Sequence, residues 1–133
     1  MLYFSTHQYP FYPGTGSRAE TGQGAGSGLT VNVPLAAGAG DEELLRAFEE
    51  ELRPAALSFR PQLVCVSAGF DAHREDPLAG LRVTERGYAA ATRIVREIAE
   101  TYCRGRVVSV LEGGYHLTAL GRSVEAHLRV LLE

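Results

Sequence analysis

Val64–Leu78, VCVSAGFDAHREDPL, is the stretch on which the reading of this chain turns. It opens Val-rich and apolar, ends that run at a Gly, and then presents Asp71. A short apolar run bounded by Gly, here Leu63–Ser67, predicts a strand of a parallel sheet covered on both faces, where polar–apolar alternation is lost. Asp71 then stands just past the carboxyl end of that strand, the edge at which open α/β sheets bind their ligands. It is a candidate metal ligand or base, although a single Asp in such a place is more often a residue that caps a turn. A second strand shifts that balance. Val107–Leu111 (VVSVL) is another short apolar run, and Glu112-Gly113-Gly114-Tyr115 follows it. Two strands thus deliver a carboxylate and a phenol to one edge.

Working outward, Thr30–Leu35 (TVNVPL) and Leu2–Thr6 (LYFST) also read as strands. The second of these begins directly after Met1, which suggests that sequence is missing before it. His7–Gly16 (HQYPFYPGTG) carries two prolines and two glycines that oppose regular structure, and it holds Tyr9, Phe11 and Tyr12 in a stiff loop suited to the wall of a ligand channel. The Gly-rich Ser17–Gly28 lacks the third Gly of a dinucleotide fingerprint and feeds a strand, not a helix, so it reads as a flexible loop. Leu44, Leu45, Phe48 and Leu52 predict a helix over Asp41–Phe59, with acids in its first turn and a kink or restart at Pro54. Thr84 caps a helix whose apolar face is Tyr88, Ala91, Val95, Ile98 and Tyr102. A last helix, Thr118–Leu132, shows Leu120, Val124, Leu128 and Leu131. The resulting order of strands and helices is that of an α/β sheet with crossover helices.

Length and charge narrow the function. One domain's worth of chain, 133 residues, supports a single core. A net charge of −3 without a basic run argues against nucleic acid as partner. No apolar run nears the roughly 20 residues that span a bilayer, and the N-terminus has neither a charged leader nor a cleavage site, so a cytoplasmic location is expected. Cys65, inside the predicted buried strand, and Cys103, at a helix end, show no CxxC spacing and read as reduced packing residues.

Four motifs in order, THQYPFYPGTG, the Gly-rich loop with TVNVPL, SAGFDAHREDPLAG and LEGGYHL, together resemble the histone deacetylase superfamily, the zinc-dependent enzymes that include acetoin-utilisation and acetylpolyamine amidohydrolase relatives. The resemblance implies that residues 1–133 are the C-terminal part of one such domain, with an arginase/deacetylase-like, doubly wound and mostly parallel sheet. It implies that Asp71 is one zinc ligand and Tyr115 the tyrosine that hydrogen-bonds the substrate carbonyl. Tyr12 and Leu78 match walls of the acyl-lysine channel, with Gly114 beside it. Ser5 and Thr6 match the place where a structural monovalent cation, K+, is bound.

Those residue types suit that chemistry. Zinc that polarises an amide needs three protein ligands and an open position. A neutral phenol aimed at a developing oxyanion is a donor that strengthens in the transition state. The family's remaining two ligands and its pair of adjacent histidines have no counterpart here, since His7, His73, His116 and His127 stand at positions that are not ligands in the family. His127 reads as a packed histidine and Asp76, before Pro77, as a residue that shapes a turn. The expectation is therefore a fragment of a zinc-dependent deacetylase of acetyl-lysine or another acylated amine, inactive as this chain alone, arising from a gene model started too late or a split gene. Its partners would be a missing N-terminal fragment or a second copy. The alternative is a truncated, non-catalytic remnant that acts as a partner-binding module; a small anion-binding α/β module is disfavoured by the four ordered motifs.

Overall fold

The computed structural model describes all 133 residues. Four strands, β1 (Tyr3–Gln8), β2 (Thr30–Leu35), β3 (Val64–Ala68) and β4 (Val107–Leu111), form two parallel pairs, β1 with β2 and β3 with β4. Between β2 and β3 run α1 (Asp41–Ala47), a π-helical turn (Phe48–Leu52) and α2 (Arg53–Phe59). The helix α3 (Glu85–Cys103) connects β3 to β4, and α4 (Leu117–Leu132) follows β4. This is an α/β architecture of parallel strands and crossover helices. The two strand pairs are stitched by the extended segment Gly80–Val83. Gly38 N–H donates to Gly80 O at 2.7 Å and Arg82 N–H to Ala39 O at 2.7 Å on the β2 side, while Val83 N–H donates to Ala72 O at 3.1 Å on the β3 side.

Local chemistry explains most boundaries. β1 runs two residues further than the sequence suggests: His7 and Gln8 pair with Pro34 and Leu35, and the strand stops only as Pro10 approaches. The break expected at Pro54 takes the form of the π turn just before it, which accommodates a residue lacking an N–H to donate back along the helix. Thr84 caps α3 by accepting from Gly87 N–H, and it is itself held by Asp41, whose carboxylate accepts from Thr84 N–H at 2.7 Å and the Thr84 hydroxyl at 2.6 Å. One side chain therefore ties the start of α1 to the start of α3.

Two packing expectations are corrected. The sequence predicts β3 to be covered on both faces, with Cys65 packed inside. Val64, Val66 and Ala68 do face the helices, but Cys65 and Ser67 are exposed, beside exposed Val108 and Val110 of β4. One face of this pair is bare. On α4 the fully buried stripe is Ala119, Ser123, His127 and Val130; of the predicted row, Leu120 and Val124 pack against the core partly buried, while Leu128 is exposed. Small Ala119 and Ser123 bring α4 close against α3, which turns the larger residues toward the helix margins. The main core beneath β3 gathers Leu44, Ala68, Phe70, Val83, Tyr88 and Ala91, with Phe70 and Tyr88 edge to face at 5.0 Å. Cys103 is buried as expected.

Candidate active site

The loops after β3 and β4 meet where the sequence places them. Glu112 N–H donates to Ala68 O at 3.0 Å, and Phe70 N–H donates to Gly113 O at 2.8 Å, so the second loop lies along the first. Asp71 sits in that seam. Its half-buried carboxylate accepts from no other residue; burial pushes its pKa above the ordinary value, against the pull of its own N–H, and the negative charge of Asp76 adds to the rise. Backbone walls it on two sides. A Cβ on Gly113 would come 2.9 Å from Asp71 Oδ2, and one on Gly69 would come 3.2 Å from Oδ1. Glycine at 113 is thus what lets the two loops close around the carboxylate.

Tyr115 is held differently. The residue is 56% exposed, while its N–H donates to Asp76 Oδ2 at 2.8 Å. The preceding Gly114 has φ +141°, a conformation that other residues rarely adopt, and a Cβ there would strike Leu120 at 2.7 Å. Asp76 shapes the Pro77 turn as predicted, through Leu78 N–H to Oδ1 at 2.9 Å, but its second bond, to Tyr115, has no counterpart in the sequence reading. Nothing in the local sequence signals a partner 39 residues away.

The four histidines lie away from ligand roles. His73 is 1% exposed; its Nδ1 accepts from Glu75 N–H at 3.1 Å, and its Nε2 faces Glu85 Oε1 at 3.4 Å. Glu85 also pairs with Arg122 of α4, which reaches Glu75 at 2.8 Å, and that pairing takes the Glu85 pKa down to about 2. This network fastens the Asp71 loop to α3 and α4. His116 caps α4 by accepting from Ala119 N–H at 3.2 Å. His127 is the packed histidine expected, between Thr92 Oγ1 at 2.7 Å and Ser109 Oγ at 2.9 Å. Because the Thr92 hydroxyl donates to Tyr88 O, it accepts from His127 Nδ1–H, and Ser109 donates to Nε2. Burial disfavours the charged ring and lowers its pKa.

The aromatic loop after β1 stands away from the body, with Tyr12 98% exposed and Tyr9 and Phe11 also exposed. Leu78 is exposed as well, and a bond from Gly80 N–H to Gln8 Oε1 at 2.7 Å ties its loop to the end of β1, beside the aromatic loop. The sequence places Gln8 in irregular loop, so it gives no sign of this fastening. At the other candidate position, the Ser5 hydroxyl lies 3.0 Å from His7 Nδ1, and His7 Nε2 donates to Gly16 O at 2.8 Å. The Ser5 hydrogen therefore goes to His7, which leaves the lone pairs of its oxygen free. The buried phenol of Tyr88 has no hydrogen-bond partner, and burial, with the charges of Asp71 and Asp76, holds it protonated.

A metal at this site would find one donor. The unpaired, desolvated carboxylate of Asp71 has the chemistry of a ligand for a hard or borderline cation, yet no three His, Cys, Asp or Glu side chains are grouped so that they could hold a metal ion. The residues present fit one corner of a zinc site and no more. No helix is long and apolar enough to cross a membrane.

Comparison with known proteins shows the family. Residues 1–131 match the family described as histone deacetylase domain. The chain is 46% identical over 132 residues to "Histone deacetylase 10, chloroplastic" of Oryza sativa subsp. japonica, covering 99% of this chain and 30% of that protein. It is 49% identical over 115 residues to a "Probable deacetylase" of Archaeoglobus fulgidus, covering 86% of this chain and 32% of the relative. Among solved structures, the HDA15 HD domain superimposes with a TM-score of 0.92 at 41% identity, over 98% of this chain and 37% of that one. The histone deacetylase Clr3 gives 0.90 at 39%, over 98% and 22%. The chain thus spans about a third of the length of the rice and archaeal relatives. With the family match running through nearly every residue and the same backbone found in solved deacetylases, the chain belongs to the histone deacetylase family.

Proposed function

We propose that this chain is the part of a zinc-dependent deacetylase that supplies one metal ligand, Asp71, and the donor to the reacting carbonyl, Tyr115, and that it is inactive alone. The observation that carries this reading is the Asp71 carboxylate, left without a partner and closed in by Gly69 and Gly113 at the junction of the two loops. Zinc, when bound, supplies a Lewis acid for an acyl carbonyl and an acidified water. Asp71 holds one coordination position; two further ligands and the groups that move protons come from residues other than those of this chain. The Tyr115 phenol donates to the carbonyl oxygen, and that bond strengthens as negative charge develops there. Tyr12 and Leu78, both exposed, flank the acyl-lysine or acylated-amine chain, with Gly114 beside it. Ser5 and Thr6 contribute oxygens to a monovalent cation such as K+.

The surface supports a chain that works as part of something larger. It exposes 8014 Å², against roughly 6,800 Å² for a monomer of its 14.4 kDa mass. The excess, on the order of 1,200 Å², exceeds what one partner contributes to a standard interface. The bare face of β3 and β4, with Val108 and Val110, is where parallel sheets ordinarily carry a second layer of helices. The occupant in this reading is the remainder of a deacetylase domain, encoded upstream in frame or as a separate fragment.

The test is to express the chain with that upstream segment, fused or as a second polypeptide. Zinc content and hydrolysis of an acetyl-lysine peptide and an acetylated polyamine are then measured. Expected are one zinc per assembly and turnover of one of these substrates, with neither property in the chain alone. Stoichiometric zinc and turnover in the isolated chain would refute the reading. An assembly that forms but neither binds zinc nor hydrolyses amides would favour a non-catalytic, partner-binding remnant.

A further inference from the structure

We propose that Asp76 is the positioning residue for Tyr115, and that by holding Leu78 with the same carboxylate it sets the donor and the channel wall at a fixed separation. This inference rests on the reading of Tyr115 as the donor to the substrate carbonyl. Asp76 is 8% exposed, and its partners are backbone amides, not a cation: Tyr115 N–H at 2.8 Å on Oδ2 and Leu78 N–H at 2.9 Å on Oδ1. Its own N–H donates to His73 O at 2.8 Å, which roots it in the loop that carries Asp71.

The case for positioning comes from what else could hold Tyr115. The residue is more than half exposed and its hydroxyl makes no hydrogen bond in the chain, so its side chain has little to orient it. The Gly114 backbone has φ +141°, a conformation that no helix or strand ladder maintains, and leaves no room for a Cβ beside Leu120. The N–H of Tyr115 has Asp76 as its partner. A buried carboxylate accepting two amides makes charge-assisted bonds about twice as strong as neutral ones, and leaving those amides unpaired is costly. Asp76 is thus the tie that fixes the Cα of Tyr115, from which the phenol reaches the substrate. Because Leu78 hangs from the other oxygen, any movement of this carboxylate shifts donor and wall together.

Neutral Asn at this position accepts through one oxygen and presents an NH2 to the second amide, which it repels. Asp76→Asn is therefore the variant to make. It is measured in the zinc-loaded assembly described above, alone and combined with Tyr115→Phe. With an acetyl-lysine peptide, Asp76→Asn is expected to lower kcat on the order of 100-fold, the cost of a misplacement near 1 Å, with KM changed less than about two-fold. In the Tyr115→Phe background the same substitution is expected to cost almost nothing more, because it acts through the missing hydroxyl. An equal loss in both backgrounds would mean that Asp76 merely stabilises the fold and would overturn the proposal. If Tyr115→Phe itself left kcat unchanged, the reading of Tyr115 would fail instead. Amide hydrogen exchange of the unsubstituted chain needs no folded variant: the Tyr115 amide is expected to exchange at least roughly ten-fold more slowly than in a free peptide, although it lies outside every helix and strand. An unprotected Tyr115 amide would likewise overturn the proposal.

Discussion

Gly113→Ala separates the fit around Asp71 from the stability of the fold. A Cβ at position 113 would lie 2.9 Å from Asp71 Oδ2 and 3.0 Å from its Cγ, where ordinary contact begins at 3.4 Å. Restoring ordinary contact moves the carboxylate back by about 0.5 Å, the shift of a half-buried side-chain end that no hydrogen bond holds in place. Metal–ligand distances tolerate only about 0.2 Å, so the displacement removes Asp71 from productive coordination. The backbone at Gly113 is not left-handed, so alanine introduces no strain there, and its lower unfolded-state entropy offsets part of the crowding. The expected result is a change in unfolding free energy within about 1 kcal/mol, with zinc affinity of the assembly reduced roughly 10–100-fold or more. Urea unfolding of the chain, followed by circular dichroism, gives the first quantity; competition of the assembly with a zinc chelator gives the second. Undiminished zinc affinity would refute the idea that the Gly113 backbone fixes the ligand geometry of Asp71.

Other outcomes follow from the same contacts. In the assembly, Asp71→Ala should lose zinc and activity together, whereas Tyr115→Phe should keep zinc and substrate affinity while kcat falls on the order of 100–1000-fold; zinc content measured beside kcat and KM distinguishes them. Burial lowers the pKa of His127 in the folded chain, so the unfolded chain binds more protons between that lowered value and the ordinary 6.5. Stability should therefore be level above about pH 6.5 and fall as the pH drops below it, and His127→Gln should lack that component in urea unfolding at about pH 7.5 and 5.5. Gly121, exposed within α4 and with nothing within 4 Å of an added Cβ, should tolerate alanine with a gain of about 0.5–1 kcal/mol in the same unfolding assay.

What could be read from the sequence was whatever is local. The strand before Asp71, the strand Val107–Leu111, the Thr84 cap and the break at Pro54 each follow from a few adjacent residues, and each is found at or within a residue of its expected place. The errors concern partners distant in the chain. A Val-rich strand looks the same whether one face or both are covered, so the exposure of Cys65 was not legible. The helical period located α4 but not its orientation, because Ala119 and Ser123 carry no hydrophobic signal yet take the inner stripe by being small. The roles proposed for Asp71 and Tyr115 rest on motifs; the contacts that hold their loops come from Asp76 and Gln8, polar residues whose neighbours at Tyr115 and Gly80 lie 39 and 72 positions away.

Those two polar ties also suggest how the site reconciles exposure with order. A side chain that meets a ligand must be free of the protein's own core, and Tyr12, Leu78 and Tyr115 all are. Apolar packing of these side chains against the core therefore cannot hold their loops, and the backbone must be held by hydrogen bonds instead. Gln8 does this for the Gly80 turn and Asp76 for both Leu78 and Tyr115, while Arg122, Glu75 and Glu85 fasten the outer side of the Asp71 loop to α3 and α4. The two kinds of tie differ in strength. The exposed ion pairs are screened by salt and worth little each, whereas the buried Asp76 carboxylate works in a drier setting where loss of its charge leaves two amides unmatched. Order in the site should accordingly survive high ionic strength and fail on substitution of Asp76, and the carboxylate of that residue, not the ring of charges around it, is the feature on which the geometry of the donor depends.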